Sequence, residues 1–442
     1  MSFDSCRYTL GVIGAAAILV GCSGSQPALP SNASLRQTIP LRDKYRILYS
    51  FDGDYGVGGP NGGPPLAAPV LDADGNLYGP AGGGTGNSSD CSGPCGVVFK
   101  MTRGSNGKWR ESVVMNFTSW LTHAVPDSPV AFDNRGNLYG SLRFNIGRNW
   151  IYKLTPGKGG WGFTVIRPNY DDDTGGVVPD SAGNLYAYLG QPKNYCGGVG
   201  ELSLRPRGWV YTDLHRFCNK KGSSPGGYDP RAPFSWDAKG NLYGTDYFGG
   251  RRRTGLTGGT AFEMTRAQNG TWTYHVLHRF GALKKDGLNP WGGLVVDKSG
   301  SVYGTTINGG PHGFGEIFKL TPSGGGEWKD TLVYGFPEVS LGAFPWGNLV
   351  FDASGNLYGV ANGGKKCGVD FCGEVFKLTP QSSGHWKYGV LHGFSGPDGA
   401  FPYGVVIDSD GHLFGTTLGG GTYNYGVVFE INSGSVAAEG TQ

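Results

Sequence analysis

Asp352-Ala-Ser-Gly-Asn-Leu-Tyr-Gly359 is the stretch whose recurrence decides the fold. Copies with small edits begin at Asp72, Asp133, Asp180, Asp237, Asp297, Asp352 and Asp408. The intervals between their inner glycines run from 47 (136 to 183) to 61 (75 to 136) residues. Repeats of this size stack into one continuous body, so the 442 residues read as one repeat domain rather than two or three unrelated ones. Glycine, 82 of the 442 residues, recurs at fixed offsets, as turns and tight strand ends require. An aromatic share of 13% against 16% charged suits an aromatic-rich β-structure. A net charge of +3 is too small and too dispersed to argue for nucleic acid. The one dense basic run, Arg251-Arg252-Arg253, reads as a solvated loop.

Residues 291–336 show one unit. Trp291 to Asp297 is a short apolar strand, a. Asp297-Lys-Ser-Gly300 is a turn, with Asp accepting backbone hydrogen bonds and Gly supplying positive φ. Ser301 to Thr306 is strand b, and Gly315 to Thr321 is strand c with alternating polarity. Trp328 to Phe336 is strand d, whose Trp328, Leu332, Tyr334 and Phe336 share a face at period two. The Trp-to-Phe offset recurs at Trp109/Phe117, Trp209/Phe217, Trp272/Phe280 and Trp386/Phe394, whereas Trp161 is followed at that offset by Asn169. Four short antiparallel strands per unit read as a propeller blade. The seventh unit stops after strand c, and Tyr45-Arg-Ile-Leu-Tyr-Ser-Phe51 resembles the missing strand d. The expected architecture is all-β: a seven-bladed β-propeller over 44–432, closed by the N-terminal strand completing the last blade.

The motifs Asp-x-x-Gly-Asn-Leu-Tyr-Gly-Thr-Thr-x-x-Gly-Gly, Gly-x-Val-Phe-Lys-Leu-Thr-Pro and Val-Leu-His-x-Phe resemble the GloVer tandem-repeat family of bacterial exported proteins. Residues 297–321 and 352–380 fit best, and units 2 and 3 are degenerate (Ser141 and Ala187 break the pattern). The resemblance implies a propeller and export, and carries over no activity.

The N-terminus points the same way. Tyr8 to Val20 is apolar but too short to span a bilayer, and Leu19-Val20-Gly21-Cys22 resembles a lipobox. The expectation is a lipoprotein signal over 1–21, lipidation at Cys22, a tether over 22–43 and a disordered tail over 433–442, with an ordinary signal peptide as the alternative. Ser23 after the Cys favours the outer membrane in a Gram-negative cell; otherwise the protein is periplasmic or secreted. Six further cysteines suggest disulfides Cys91/Cys95, Cys196/Cys218 and Cys367/Cys372, against a zinc site that would lack nearby third ligands.

No His-Glu-x-x-His pair or phosphate loop occurs, and no catalytic residue, metal or cofactor is assigned. The turn aspartates resemble calcium loops only at their start, and read as capped turns. His215, His278 and His392 share one position of strand d in different blades and read as rim packing, while His312 reads as a solvated loop residue. What varies between units is the residue entering strand a, six before the turn Asp: Leu66, Asp127, Thr174, Arg231, Trp291, Trp346 and, one residue shorter, Tyr403. These residues, with Asp171-Asp172-Asp173 and His312 nearby, either line a ligand site at the channel mouth or plug the channel. The expected function is a monomeric, non-catalytic binding or scaffold module for a glycan or envelope protein, tethered to the membrane by its lipid. The alternative is a propeller enzyme of lactonase or polysaccharide lyase type with its site in the funnel.

Overall fold

The computed structural model describes residues 45–53, 62–83, 96–117, 124–144, 149–170, 176–188, 197–217, 227, 229–250, 258–364, 366–367 and 370–432. The lipobox Cys22, the tether, the tail, Cys91, Cys95, Cys196, Cys218, Asp171-Asp172-Asp173, Thr174 and the 251–253 run lie outside them. Seven antiparallel sheets follow one another along the chain, each with strands in the order a-b-c-d. Blades 1 to 6 span 70–116, 131–170, 177–216, 235–279, 295–335 and 350–393. Blade 7 takes a, b and c from Ala400–Ile407, His412–Gly419 and Val427–Asn432, and its d from Tyr45–Ser50. Tyr45 pairs with Ile431 and Ser50 with Val427, so the first strand covers the edge the last one would expose. Arg46 is ion-paired to Glu430 across that closure.

Strand d departs from the expected pattern in a way that determines how blades meet. In blade 5, Ile317 pairs with Tyr334 but Phe318 with Leu332, so Val333 is a bulge residue. The same bulge falls at Leu48, Val114, Ile166, Leu214, Leu277 and Leu391 in the other six blades. One extra residue moves every later side chain to the opposite face. Trp328 and Phe336 therefore do not share a face. Trp328 packs on Tyr243 of the preceding blade, and Phe336 on Phe376 of the next. Trp109 against Phe414 and Phe394 against Phe429 repeat the arrangement.

The bulge also aligns two positions across each wedge between blades: the residue two before the strand-d Phe position in one blade, and the residue six before it in the next. His215 stacks on Tyr274 (3.8 Å between centroids), Tyr334 on Tyr388 (4.3 Å) and His392 on Tyr45 (3.7 Å), all nearly parallel. Arg167 lies 3.8 Å over Tyr211 in the same way, where unit 2 lacks its Phe.

The glycine of Leu-Tyr-Gly is required by the strand beside it. A Cβ on Gly359 would lie 2.5 Å from Cζ of Phe376, and one on Gly304 the same distance from Cζ of Phe318. Unit 3 carries Ala187 there because its cross-strand partner is Gly200, which leaves the space open. What looks degenerate in the sequence is a compensated exchange. Gly359→Ala should destabilise the fold by about 1–3 kcal/mol through overpacking, and the cost should largely vanish in a Phe376→Ala background, read from denaturant unfolding of the double-mutant cycle.

The repeated aspartate is consumed by its own turn. Asp352 Oδ1 accepts hydrogen bonds from the Ser354 and Asn356 amides at 2.9 and 2.8 Å; Oδ2 accepts from Asn356 Nδ2 at 2.6 Å and the Tyr358 hydroxyl at 2.9 Å. Asp72 and Asp133 repeat this set. Partial burial alone would raise these carboxyls, but the hydrogen bonds outweigh it and hold Asp72, Asp133, Asp297 and Asp352 below the usual carboxylate range. A carboxyl depressed on folding contributes stability above its unfolded pKa and loses it as pH falls through the folded value. The melting temperature should thus drop between pH 5 and pH 2, with a shallower slope in Asp352→Asn, as measured by calorimetry.

Candidate functional site

The mouth residues come forward for a local backbone reason. Asp229, Asn289, Phe344 and Phe401 have φ of 64°, 59°, 53° and 58°, the left-handed region that bulky residues avoid. Each is followed by proline and then by one mouth residue: Arg231, Trp291, Trp346 or Tyr403. The prolines seat on glycines of the preceding blade; a Cβ on Gly315 would meet Pro345 Cδ at 2.8 Å and one on Gly259 would meet Pro290 Cδ at 2.5 Å. Strained non-glycine residues persist only where the surrounding packing imposes them, and they concentrate at functional sites. The X-Pro-mouth pattern is visible in the sequence but carries no sign of its backbone conformation.

Behind the mouth the inner strands converge. Strand a was expected from Trp291 to Asp297, yet in blade 5 only Val295–Val296 pairs as strand. The residues before it turn to neighbouring blades: Thr245 Oγ1 donates to Gly292 O at 3.1 Å, and Gly293 N donates to Asn348 Oδ1 at 2.7 Å. A Cβ on Gly292 would lie 2.5 Å from Gly347 O, and one on Gly347 would lie 2.6 Å from Tyr403 O. The position after each mouth residue is correspondingly small: Ala67, Ser128, Ala232, Gly292, Gly347 and Gly404. The mouth residues thus stand on a tightly closed floor.

Four of the expected site residues form one row on that floor. Tyr403 lies parallel to Trp346 (5.6 Å, 4°), and Trp346 lies 6.1 Å from Trp291. The Arg231 guanidinium continues the row, 5.2 Å from the Trp291 ring and 5.7 Å from Tyr247. Trp346 Nε1 donates to Pro402 O at 2.7 Å, and Arg231 is ion-paired to Asp229 at 2.7 Å. All four side chains are half-buried, and Arg231 Nε has no hydrogen-bond partner among the described residues. Asp127 is not in this row; it is ion-paired to Arg143 at 2.7 Å on blade 2. His312 is exposed on its loop. Cys372 is fully buried and disulfide-bonded; the Cys367 side chain lies outside the described residues.

Sequence reasoning missed Asp246, at the end of strand b in blade 4. It is fully buried, receives Thr260 Oγ1 at 3.0 Å on one oxygen, and has no partner on the other among the described residues. Burial drives its carboxyl well above the usual carboxylate range. In other blades this position is apolar or threonine, as Ala361, Thr306 and Thr417 show, so the unit-by-unit alignment carries the signal.

The fold defines the protein as a seven-bladed β-propeller. Within that class, the profile of the Gloeobacter/Verrucomicrobia repeat matches residues 256–439, the part of the chain where the motifs are most regular. No curated protein matches the chain. Among solved structures it is similar to a fungal alcohol oxidase of the AA5 family in complex with copper, at 13% identity over 86% of this chain and 76% of that one, with a TM-score of 0.50. A protein from Lactobacillus plantarum (13%, 76% and 94%, TM-score 0.44) and a Penicillium chrysogenum α-L-arabinanase complexed with arabinobiose (14%, 68% and 91%, TM-score 0.40) are more distant. At these identities the likeness concerns fold alone.

The strand-d histidines are packed into the wedges. Burial lowers His215 to about 4, and lowers His392 against the opposing pull of Asp398, 2.9 Å away. In an NMR pH titration the His215 ring should stay neutral to pH 5 and protonate near pH 4, with unfolding setting in as it does.

Proposed function

We propose that this protein is an exported, lipid-anchored, non-catalytic module that binds a glycan at the cell envelope through the Arg231–Trp291–Trp346–Tyr403 row. One observation carries this reading: four successive blades each use a left-handed residue and a proline to present one large planar group at the same end of the ring. Aromatic surface with a few fixed polar groups suits the apolar faces and hydroxyls of sugar rings. Arg231 Nε supplies a donor for a ring or hydroxyl oxygen. Export through a signal ending at Gly21, lipidation at Cys22 and disulfides among the six remaining cysteines belong to the same proposal. They place the mouth in an oxidising compartment where polysaccharide is abundant.

Immobilised envelope polysaccharides should retain the wild-type protein. Trp291→Ala/Trp346→Ala should lose retention at least tenfold while the melting temperature falls by less than about 5 °C, since the inter-blade cores lie elsewhere. Wild-type protein retained on no glycan would overturn the proposal. Turnover of a lactone or uronic-acid polymer by the purified protein would replace it with the enzymatic reading.

A further inference from the structure

The wedge between blades 4 and 5 breaks the ring-on-ring rule. The position that holds Tyr211, Tyr274, Tyr388 and Tyr45 in four blades, Glu111 in blade 1 and Phe163 in blade 2 holds Asp330 in blade 5, and it faces His278 of blade 4. Elsewhere the phenol satisfies its surroundings: Tyr388 donates to Glu374 at 2.5 Å, and Tyr45 donates to the Asp398 carbonyl. Asp330 donates nothing. Its Oδ1 is buried with no hydrogen-bond partner among the described residues. Glu316, the counterpart of Glu374, is only 4% exposed and is left with one hydrogen bond, from the Gly287 amide to Oε1 at 3.0 Å. Its Oε2 has none among the described residues.

Asp286 completes the group. Its side chain is 1% exposed and lies 3.1 Å from His278 Nε2. The comparison with blades 6 and 7 separates the parts. His392 and Asp398 form the same His–Asp pair there, and Asp398 also caps its turn through the Ser395 amide at 2.7 Å, just as Asp286 receives the Ala282 amide at 3.0 Å. The pair alone is a turn-holding device. Here the pair meets two further carboxylates, Asp330 and Glu316, and no lysine or arginine among the described residues pairs with either.

We propose that His278, Asp286 and Asp330, backed by Glu316, form a binding site for one divalent cation of the zinc or manganese class. One ligand atom each of His278, Asp286 and Asp330 lies within 4.8 Å of the other two, and 3.1 Å between His278 Nε2 and Asp286 Oδ1 is close to the spacing of two ligands around one metal with bonds of about 2.1 Å. One imidazole nitrogen with carboxylate oxygens suits these ions better than calcium or magnesium. The ion would join blade 4 to blade 5 at the start of the segment Gly287–Pro290 that leads to Trp291. A second grouping, Asp408, Asp410 and His412, differs: Asp408 Oδ1 is taken by the amides of Asp410 and His412 at 3.0 and 2.8 Å.

The test is titration of the chelator-treated full-length protein with ZnCl2 and with MnCl2 by calorimetry, alongside Asp330→Tyr and Asp330→Asn. Asp330→Tyr restores the residue found in neighbouring wedges, so it should fold with a melting temperature at or above that of the metal-free wild type. The wild type should bind one equivalent and melt several degrees higher with it; both variants should bind that equivalent at least a hundredfold more weakly. Absence of binding by the wild type overturns the proposal. So does a folded Asp330→Tyr that binds as tightly as wild type, which would put the ion elsewhere. The outcome is independent of glycan retention at the mouth.

Discussion

A propeller blade must bury two faces, one against each neighbour, with an outer strand that has few hydrogen-bonding partners. The bulge in strand d meets that demand. By inserting one residue it turns the first half of the strand toward the preceding blade and the second half toward the next. In blades 1, 3, 4, 5 and 6 the outer strand thereby carries a Trp toward one wedge and a Phe toward the other, and the same contact recurs around the ring. The N-terminal strand carries the bulge too, which is why Tyr45–Ser50 serves as a true strand d for blade 7 rather than a loose cover.

This geometry separates the parts of the molecule that must repeat from those free to vary. The turn aspartates, the Leu-Tyr-Gly glycines and the Trp and Phe of strand d are tied to backbone or to each other within one unit or across one wedge. Changes there come in pairs, as in the Ala187–Gly200 exchange. The mouth residues differ from blade to blade in both type and contacts. They are fixed by the backbone beneath them, through a left-handed residue and a proline, so their identity can change from blade to blade without loosening the ring.

The wedges follow an intermediate rule. Three are closed by stacked aromatic or imidazole rings and one by a guanidinium over a phenol. The wedge at His278 and Asp330 departs from these four. A buried carboxylate set in a position designed for a phenol needs a proton or a cation, and the neighbouring Glu316 and Asp286 make the demand larger.

The blade count, the strand order within a unit, the closure by residues 45–51 and the place of the variable mouth were all legible in the sequence, because each rests on local period and on turn chemistry that glycine and aspartate announce. The grouping of Arg231 with Trp291, Trp346 and Tyr403 followed from the same ruler, while the pairing of Asp127 with Arg143 did not, since it depends on where an irregular strand end points. The strand-d bulge left no mark in the pattern: an even Trp-to-Phe offset reads as one face, and only the register against strand c shows that it spans two. The meeting of His278 with Asp286, Asp330 and Glu316 was likewise decided by tertiary structure. Those four residues come from two blades and the segment between them, and no periodicity within the chain brings them to one point.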